Sequence, residues 1–321
     1  MKEPAIVLMD VDTGVDDALA ILLALHSPRI RLVGITTVSG NTSAKQAAWN
    51  TRLILEDLNI GDGLPVRVGE GGPTPRASRA KLAEIHGPNG LGSPFWETHK
   101  ASQATSPSQS GGVDFMIEIA RKYSSQLSIV ATAPLTNLAS AYKREPGVFK
   151  GIKEIRAMGG AVNVPGNITP RAEFNVSCDP EAFDIVLHSG VPLTLFPLDV
   201  TERVRIYKKS LTPKLGIDAR KLKLIRDIIS DYVAFHKERK GFNGCFVHDA
   251  LPVASILDPS LFSYKEENIV VDLATERGRT RRVGPEDGGV KIKVATGVRG
   301  KAVLALLWKH LATSPKLRAL G

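Results

Sequence analysis

Short apolar runs alternate with helix-periodic segments along most of the chain, and this alternation restricts the possible folds. The runs are rich in Val, Ile and Leu and end at Gly, Asn or Asp, as strands buried on both faces of a parallel sheet do. The order of the segments indicates an α/β fold with an open, mostly parallel sheet flanked by helices. We predict strands at residues 5–9, 32–38, 65–68, 127–131, 154–158 and 193–197. We predict helices at residues 17–26, 43–58, 135–143, 180–189, 222–239, from Asp249 onward, and 301–311.

Two later segments have a different pattern. Residues 268–273 and 289–295 alternate apolar and polar side chains and are separated by polar turn residues, which predicts a small antiparallel addition near the C-terminus. The chain has 321 residues, and α/β folds of this length are commonly one unit. We therefore expect a single domain over residues 1–321. Residues 69–112 are rich in Gly, Pro, Ser and Thr without periodicity, which predicts a flexible, lid-like insert, with its tail at 101–112 the most flexible part.

Composition argues against several classes of protein. No stretch approaches the roughly 20 apolar residues of a membrane span, and the apolar run at 5–9 is too short for a signal peptide, so we expect a cytoplasmic protein without membrane contact. Cys178 and Cys245 are the two cysteines, and neither lies in a Cys-x-x-Cys pair. The net charge is +9, but the densest basic cluster, at 277–282, has no interleaved aromatic residues. We therefore expect no nucleic-acid partner.

Polar residues follow the ends of several predicted strands. Asp10 and Asp12 follow the first strand, Asn41 follows the second, Thr132 follows a later one, and Met158 ends another. In an open α/β sheet, ligands bind outside the carboxyl ends of the strands. This edge is therefore the predicted binding site.

The sharpest motif is Asp-Val-Asp-Thr-Gly-Val-Asp-Asp at residues 10–17, which places four carboxylates at a strand-to-helix turn. Such close negative charges repel one another, and a cation or a helix N-terminus is needed to offset them. Carboxylate ligands favour Ca²⁺ or Mg²⁺ over zinc. The alternative is that one Asp caps the helix and the others are solvated surface charges.

Two families begin with an Asp-x-Asp motif. The Asp-x-Asp-x-Thr motif of haloacid-dehalogenase-like phosphatases matches only loosely, because the Thr is misplaced and Asp16 and Asp17 stay unexplained. Residues 10–18 resemble instead the Asp-x-Asp-x-Gly-x-Asp-Asp-Ala motif of the inosine-uridine preferring nucleoside hydrolase family. Further segments resemble that family in order, so the resemblance spans roughly residues 5 to 310: 40–41, 86–91, 132–137, 158–160, 167–175 and 248–250.

The resemblance implies a calcium site and a ribose site in one Rossmann-like nucleoside hydrolase domain. Calcium would be held by Asp12, Asp17, the Thr132 carbonyl and Asp249. Ribose hydroxyls would be bound by Asp16, Asn41, Asn167, Glu173, Asn175 and Asp249. Carboxylates and amides supply the acceptors and donors that hydroxyls need. Met158 is expected to pack in the core with its edge touching the ligand.

The implied reaction is hydrolysis of the N-glycosidic bond of purine or pyrimidine ribonucleosides. Asp12 is the predicted general base and His248 the predicted acid for the leaving base, and His86 on the insert is predicted to assist His248. Tyr232 is predicted to stack on the nucleobase. His236, where the family often has Tyr, is predicted either to add a protonatable contact or to face solvent, which leaves the base preference open.

Two other functions remain to be compared. A Mg²⁺ phosphatase would need a Lys or Ser/Thr phosphate clamp near the cluster, and we identify none. A nucleoside-binding sensor would have lost a catalytic residue, whereas Asp12, Asp17, His248 and Asp249 are all present. The family resemblance also implies a homo-oligomer, either a dimer or a tetramer.

Overall fold

A computed structural model describes residues 3–72, 83–99, 109–213 and 216–315. Its strands are β1 (Ala5–Val11), β2 (Ile30–Thr37), β3 (Val66–Val68), β4 (Gln109–Ser110), β5 (Leu127–Ala131), β6 (Glu154–Met158), β7 (Leu193–Phe196), β8 (Arg205–Tyr207), β9 (Gly244–Phe246), β10 (Phe262–Val271), β11 (Thr280–Val283) and β12 (Val290–Val298). Its longer helices are α1 (Val15–His26), α2 (Ala44–Asp57), α3 (Ser93–His99), α4 (Gly112–Tyr123), α5 (Thr136–Arg144), α6 (Pro146–Lys150), α7 (Phe174–Cys178), α8 (Pro180–Leu187), α9 (Leu198–Thr201), α10 (Ala219–Ile228), α11 (Ser230–Arg239), α12 (Ala250–Leu257) and α13 (Gly300–Leu311).

One large sheet organises the chain, with strand order β11-β10-β12-β7-β6-β5-β1-β2-β3-β4. Neighbouring strands from β12 to β4 are parallel, and β10 runs antiparallel to both β11 and β12. Strands β8 and β9 form a separate antiparallel pair. The predicted open, mostly parallel sheet with an antiparallel addition is confirmed.

Strand β1 lies between β2 and β5 and is buried on both faces. Its side chains alternate between two hydrophobic clusters, as the twofold periodicity of a strand requires. Val7 and Met9 face the cluster that contains α1 and α12, whereas Leu8 faces the cluster that contains α4 and α5. Because β1 is an interior strand of the sheet, the polar residues at its carboxyl end emerge in the interior of the carboxyl edge rather than at its margin.

Helix α1 is buried along its whole length and packs against α12 and α13. Its amide end therefore has a fixed direction relative to β1, and Asp16 and Asp17 lie in its first turn. Acidic side chains at this end of a helix are favoured by the helix dipole. The strand-to-helix turn that the sequence predicted is therefore buried within the core.

The predicted helix at 222–239 is wrong as a single element. The chain forms α10 and α11, which are separated at Ile229. Gly92 lies against this break, where an added Cβ would lie 2.4 Å from the Ile228 carbonyl oxygen. Because the apolar side chains remain in helical register across the break, the sequence pattern did not reveal it.

The predicted insert at 69–112 is described only in part, because residues 73–82 and 100–108 lie outside the described ranges. The predicted flexible tail falls mostly on those residues. Within the described part, residues 83–86 form a helical turn and α3 is an ordered helix with Phe95 buried. Among the described helices, none is long and apolar enough to cross a membrane.

Candidate active site

Four buried carboxylates gather where β1 meets α1. One oxygen each from Asp16, Asp17 and Asp249 lies within 4.8 Å of the others. Asp249 comes from a different part of the chain, at the start of α12. Burial, with repulsion from the neighbouring Asp17 carboxylate, raises the pKa of Asp12, so these two groups are also close. The fold therefore brings two of the three predicted metal-binding carboxylates, Asp17 and Asp249, together with Asp16, which was predicted for ribose, while the third, Asp12, lies beside Asp17 outside this group.

Asp12 and Asp17 are held by neighbouring groups. The Thr132 hydroxyl donates to Asp17 Oδ1 at 2.6 Å, and the Gly14 amide donates to Asp17 Oδ2 at 2.8 Å. Asn41 donates its backbone N–H to Asp12 Oδ2 at 2.6 Å and its side-chain amide to Asp12 Oδ1 at 3.1 Å. An added Cβ on Gly40 would lie 1.9 Å from Asp12 Oδ2, so only glycine fits there.

Burial and mutual repulsion make this cluster electrostatically costly. Burial, with repulsion from neighbouring carboxylates, raises the pKa of Asp12 and Asp249 well above the usual range. The same two causes, burial first and then Asp17, raise the pKa of Asp16 to about 7. No salt bridge to Asp12, Asp16, Asp17 or Asp249 is found within the described residues. The described side chains therefore supply no ion pair that would offset the negative charge of the cluster.

The donor atoms of this cluster suit a hard cation. Asp16 Oδ1 is buried and has no hydrogen-bond partner in the described structure. An unsatisfied buried carboxylate oxygen is unfavourable unless a cation or a ligand contacts it. All candidate ligands here are oxygen atoms, which favours calcium or magnesium over softer metals.

Asp10, the first residue of the motif at 10–17, lies behind the carboxylate cluster and has a structural role. Its Oδ1 accepts hydrogen bonds from the Thr36 hydroxyl at 2.6 Å and the Asn137 side-chain amide at 2.8 Å. Burial raises its pKa to about 7. Its backbone carbonyl accepts from the Thr132 amide at 3.0 Å, so Asp10 ties the ends of β1, β2 and β5 together.

The segment at 158–176 forms a second polar wall. The Glu173 carboxylate caps α7 by accepting from the backbone amides of Asn175 and Val176, and it also accepts from the Gly160 amide at 2.9 Å. The side-chain amide of Asn175 donates to the Thr132 carbonyl at 3.0 Å and to the Met158 carbonyl at 3.2 Å. These predicted ribose contacts are therefore preorganised by hydrogen bonds among themselves.

A cavity of about 620 Å³ opens between these walls. Asp12 and Asp17 lie fully buried behind it. The predicted residues that line the cavity are Asp16, Asn41, His86, Thr132, Met158, Asn167, Glu173, Asn175, Tyr232, His236, His248 and Asp249.

Aromatic rings form the cavity wall opposite the carboxylates. The rings of His86 and Tyr232 are stacked with centroids 5.3 Å apart. The rings of Tyr232 and His236 meet edge to face at 4.3 Å. Phe246 contacts both His236 and His248. The cavity therefore has a carboxylate and amide end and an aromatic end.

The three histidines of the cavity are neutral near pH 7. Burial is the largest cause in each case, and the pKa is lowered to about 3 for His86 and His248 and to about 4 for His236. His236 is buried in the cavity wall, so the alternative prediction that it faces solvent is wrong. Nδ1 of His248 shares a 2.8 Å hydrogen bond with the Thr201 hydroxyl.

A family model described as inosine-uridine preferring nucleoside hydrolase matches residues 7–305. The chain belongs to this nucleoside hydrolase family. It is 32% identical over 266 residues to uridine nucleosidase 1 of Arabidopsis thaliana, covering 83% of this chain and 77% of the relative. It is 34% identical over 268 residues to the pyrimidine-specific ribonucleoside hydrolase RihA of Escherichia coli O9:H4 (strain HS), covering 83% and 84%.

A solved structure gives the same result at the level of fold. The purine-preferring ribonucleoside hydrolase from Gardnerella vaginalis matches with a TM-score of 0.84 at 33% identity, and the match covers 96% of this chain and 98% of that one. The predicted nucleoside hydrolase family and fold are therefore confirmed.

Two parts of this nucleoside hydrolase site were missed from sequence. Thr201 holds the ring of His248, and Phe246 adds an aromatic face two residues before it. The neighbouring segment at 197–201 also has a structural role that the sequence did not predict. Its Asp199 carboxylate accepts from the amides of Val162 and Asn163, each at 2.9 Å, and so fixes the loop after β6. Phe246 could have been predicted from the sequence, because aromatic residues precede the His248-Asp249 pair.

Proposed function

We propose that this chain is a calcium-dependent ribonucleoside hydrolase, which cleaves purine or pyrimidine ribonucleosides to ribose and free base. The observation that carries this proposal is the division of one cavity into a carboxylate and amide end and an aromatic end. A nucleoside has the same division, with a polyhydroxylated sugar joined to a flat aromatic base. The names of the related proteins, a uridine nucleosidase and a pyrimidine-specific hydrolase among them, support the same activity.

Asp12, Asp17, Asp249 and the Thr132 carbonyl would hold the calcium ion, with Asp16 close enough to join them. The oxygen-only donor set and the unpartnered Asp16 Oδ1 fit such an ion. Bound calcium would supply positive charge that acidifies a water molecule and orients sugar hydroxyls. It would also offset the repulsion that raises the pKa of the surrounding carboxyl groups.

The ribose would lie between the carboxylates and the wall at 158–176. Its hydroxyls would contact Asp16, Asn41, Asn167, Glu173, Asn175 and Asp249, with the edge of Met158 against the sugar. Because the side chains of Glu173 and Asn175 are held by hydrogen bonds to the backbone, they lose little conformational freedom when the sugar binds. Glu173 accepts three backbone amides already, so it contributes both to positioning its neighbours and to contact with the substrate.

The chemistry needs a proton acceptor on one side of the sugar and a hydrogen-bond donor at the leaving base. Asp12 is the proposed general base that takes a proton from the attacking water as its oxygen bonds to the anomeric carbon. The N-glycosidic bond breaks with its electron pair leaving on the base. Nearby carboxylates stabilise the positive charge that develops on the sugar ring.

His248 is proposed to deliver a proton or a hydrogen bond to the departing base. Its ring is buried beside the aromatic end of the cavity, with Nδ1 held by Thr201. Because the lowered pKa keeps the imidazole neutral, its contribution begins as an N–H donor rather than as an imidazolium. His86 contributes from the insert, where its ring covers Tyr232, the proposed stacking partner of the base.

The described insert, residues 83–99, is proposed as a lid of one catalytic domain. It places His86 on the cavity and is held by Asp231, whose Oδ2 accepts from both the amide and the hydroxyl of Ser93 at 2.8 and 2.7 Å. We also propose that the protein assembles as a dimer or a tetramer, which light scattering would test.

The test is incubation of the purified protein with inosine, adenosine, guanosine, uridine, cytidine and xanthosine, in phosphate-free buffer, with and without a calcium chelator. Ribose and free base are followed separately by chromatography. We expect both products in equal amounts, loss of both on chelation and recovery on adding Ca²⁺. Release that requires phosphate, or no release from any nucleoside by the calcium-loaded protein, would overturn the proposal.

A further inference from the structure

Asn50 joins the carboxylate motif to the proposed lid. It lies on α2 and is fully buried. Its side-chain nitrogen donates to the Thr13 carbonyl at 3.0 Å and to the Asn89 carbonyl at 2.8 Å. Thr13 belongs to the motif at 10–17, and Asn89 belongs to the lid at 83–99. Because an asparagine amide nitrogen has two N–H groups, both bonds can form at the same time.

The orientation of this amide is fixed by a third bond. The side-chain oxygen of Asn50 accepts from the side-chain amide of Gln46 at 2.9 Å, one turn earlier on α2. Turning the Asn50 amide over would place its oxygen against two carbonyls, which cannot donate, so only one orientation is favourable. Asn50 is therefore a rigid connection between the motif and the lid.

The Thr13 carbonyl belongs to the same peptide group as the N–H that holds a proposed calcium ligand. That N–H is the Gly14 amide, which donates to Asp17 Oδ2 at 2.8 Å. The C=O and N–H of a trans peptide point in opposite directions, so Asn50 and Asp17 hold the two ends of one planar group. A tilt of this peptide that breaks the Asn50 bond also moves the donor away from the Asp17 carboxylate.

The Asn89 carbonyl belongs to the tip of the lid, which we define as residues 86–92. The Gly92 amide donates to the His86 carbonyl at 2.9 Å and closes the tip into a turn. The turn links the position of Asn89 to that of His86, whose ring lines the cavity. Nδ1 of this ring accepts from the Val15 amide at 3.3 Å, so the tip contacts the strand-to-helix turn a second time.

We infer that Asn50 is a positioning residue that couples the lid to the calcium site. Its donors and its acceptor are all engaged by protein groups, so it acts through the Thr13–Gly14 peptide and the tip rather than by contact with substrate. Occupation of the site by calcium then stabilises the tip over the cavity, and by reciprocity an ordered tip strengthens calcium binding. This inference rests on the calcium site of the proposed function, but not on hydrolysis.

Hydrogen exchange of the unaltered protein tests the coupling without any substitution. The amides of Gly90 and Gly92 are hydrogen-bonded within the tip, so their exchange reports its opening. With no nucleoside present, addition of Ca²⁺ should slow exchange in peptides that cover residues 86–92. Peptides from α4, on the other face of the sheet, control for general stabilisation and should change less. Unchanged exchange of the tip at saturating Ca²⁺ would overturn the inference.

Two neighbouring substitutions on α2 separate the coupling from support of the motif alone. Asn50→Leu keeps the size of the side chain but removes both donors, so Ca²⁺ should no longer slow exchange of the tip. The matched control is Thr51→Val, which removes the bond between the Thr51 and Thr13 hydroxyls, 2.7 Å long. Among the described residues, Thr51 bonds to Thr13 and Ala47 and not to the tip, so the effect of Ca²⁺ on the tip should persist in this variant. If the two variants behave alike, Asn50 only supports the motif.

Calcium affinity is the second measurement. Calorimetric titration without nucleoside should show a loss of about 10–100-fold for Asn50→Leu, the usual effect of a group that orients a metal ligand. Gln46→Ala removes only the bond that orients the Asn50 amide, at a partly exposed position, so it should give a smaller loss and remains informative if the Leu variant does not fold. Unchanged calcium affinity in both variants would contradict the inference.

Steady-state kinetics at saturating Ca²⁺ completes the test. Because the tip carries His86, release of the tip in Asn50→Leu should raise KM for uridine by a larger factor than it lowers kcat. A fall in kcat with unchanged KM would contradict a role in holding the tip. A protein that hydrolyses nucleosides but whose tip does not respond to Ca²⁺ would overturn this inference and keep the proposed function, whereas a responsive tip without hydrolysis would do the reverse.

Discussion

The Thr132 hydroxyl donates a 2.6 Å hydrogen bond to Oδ1 of Asp17. This bond joins the residue after β5 to the first turn of α1, and the Gly14 amide holds the other oxygen of the same carboxylate. Asp17 is therefore oriented by its neighbours before any ligand binds. Partners of this kind, which orient a ligand without contacting the metal, commonly change metal affinity by about 10–100-fold.

Replacing Thr132 should therefore weaken calcium binding even though its backbone carbonyl remains. Thr132→Val preserves the shape of the side chain and removes the donor, so we expect about a 10–100-fold loss of calcium affinity in calorimetric titration. Thr132→Ser retains the hydroxyl and is the matched control, with affinity close to that of the unaltered protein. Tight calcium binding by the Val variant would show that the hydroxyl has no part in the site.

Asp12→Asn tests the proposed general base. The amide is similar in shape but cannot take a proton, so at saturating calcium we expect kcat to fall by about 10²–10⁴. Thermal unfolding with and without calcium checks that the variant is folded and still binds the ion. Ordinary turnover by the calcium-loaded variant would mean that another group activates the water.

The contribution of His248 to kcat should be larger for substrates with a poorer leaving group. His248→Phe keeps a buried ring but cannot donate, so kcat on uridine or inosine should fall by about 10²–10⁴. A riboside of p-nitrophenol needs no proton at its leaving oxygen, and its hydrolysis should fall less than tenfold. Equal losses on both kinds of substrate would assign His248 to packing or to sugar binding instead.

The parts of the fold that the sequence predicted well are those governed by burial alone. Strand β1 is apolar from Ala5 to Met9, and β5 is apolar except for Ser128, because both faces are covered, so composition was sufficient to identify them. Short β8 and β9 gain their pairing from residues about forty positions apart, and no local pattern records that contact. The break at Ile229 likewise lies against Gly92, a contact between residues distant in sequence that no local pattern records.

The residues of the candidate site also divide into those that a local sequence pattern predicted and those that depend on contacts between distant residues. Carboxylates at the ends of strands were found because their chemistry is unusual next to an apolar run, and Asp12, Asp16 and Asp17 are close in the chain. Thr201 was missed, because a lone hydroxyl has no distinctive pattern and its role appears only in contact with His248. The hydrogen bond between Nδ1 of His236 and the Tyr232 carbonyl was likewise not indicated by the sequence alone.

Asp231 should control the position of the proposed lid. Its carboxylate accepts from both the backbone and the hydroxyl of Ser93, and His86 lies a few residues earlier on the same segment. Asp231→Ala removes both bonds, so KM should rise several-fold as the segment loses its anchor. Ser93→Ala removes one bond and should give a smaller rise. Unchanged KM values in steady-state assays of both variants would show that this anchor does not affect substrate binding.

His26, far from the cavity, should make the protein less stable as the pH falls. It ends α1 with Nδ1 bonded to the Leu22 carbonyl at 2.8 Å, while its Nε2 is buried without a partner among the described residues. Burial lowers its pKa from 6.5 to about 4, with Lys221 and His310 also disfavouring protonation and Asp218 favouring it. The unfolded chain therefore takes up a proton in the range between those two values that the folded protein does not.

Between pH 6.5 and 4 this difference lowers the free energy of unfolding as the pH falls, by at most about 1.4 kcal/mol per pH unit for one group. His26→Leu removes the titration, so the variant should gain about 1–2 kcal/mol relative to the unaltered protein when the pH is lowered from 7.5 to 5. Urea unfolding at both pH values, with saturating calcium to hold the carboxylate cluster in one state, measures this difference. An unchanged difference between the two proteins at pH 7.5 and pH 5 would show that His26 is protonated in the folded state as readily as in the unfolded chain.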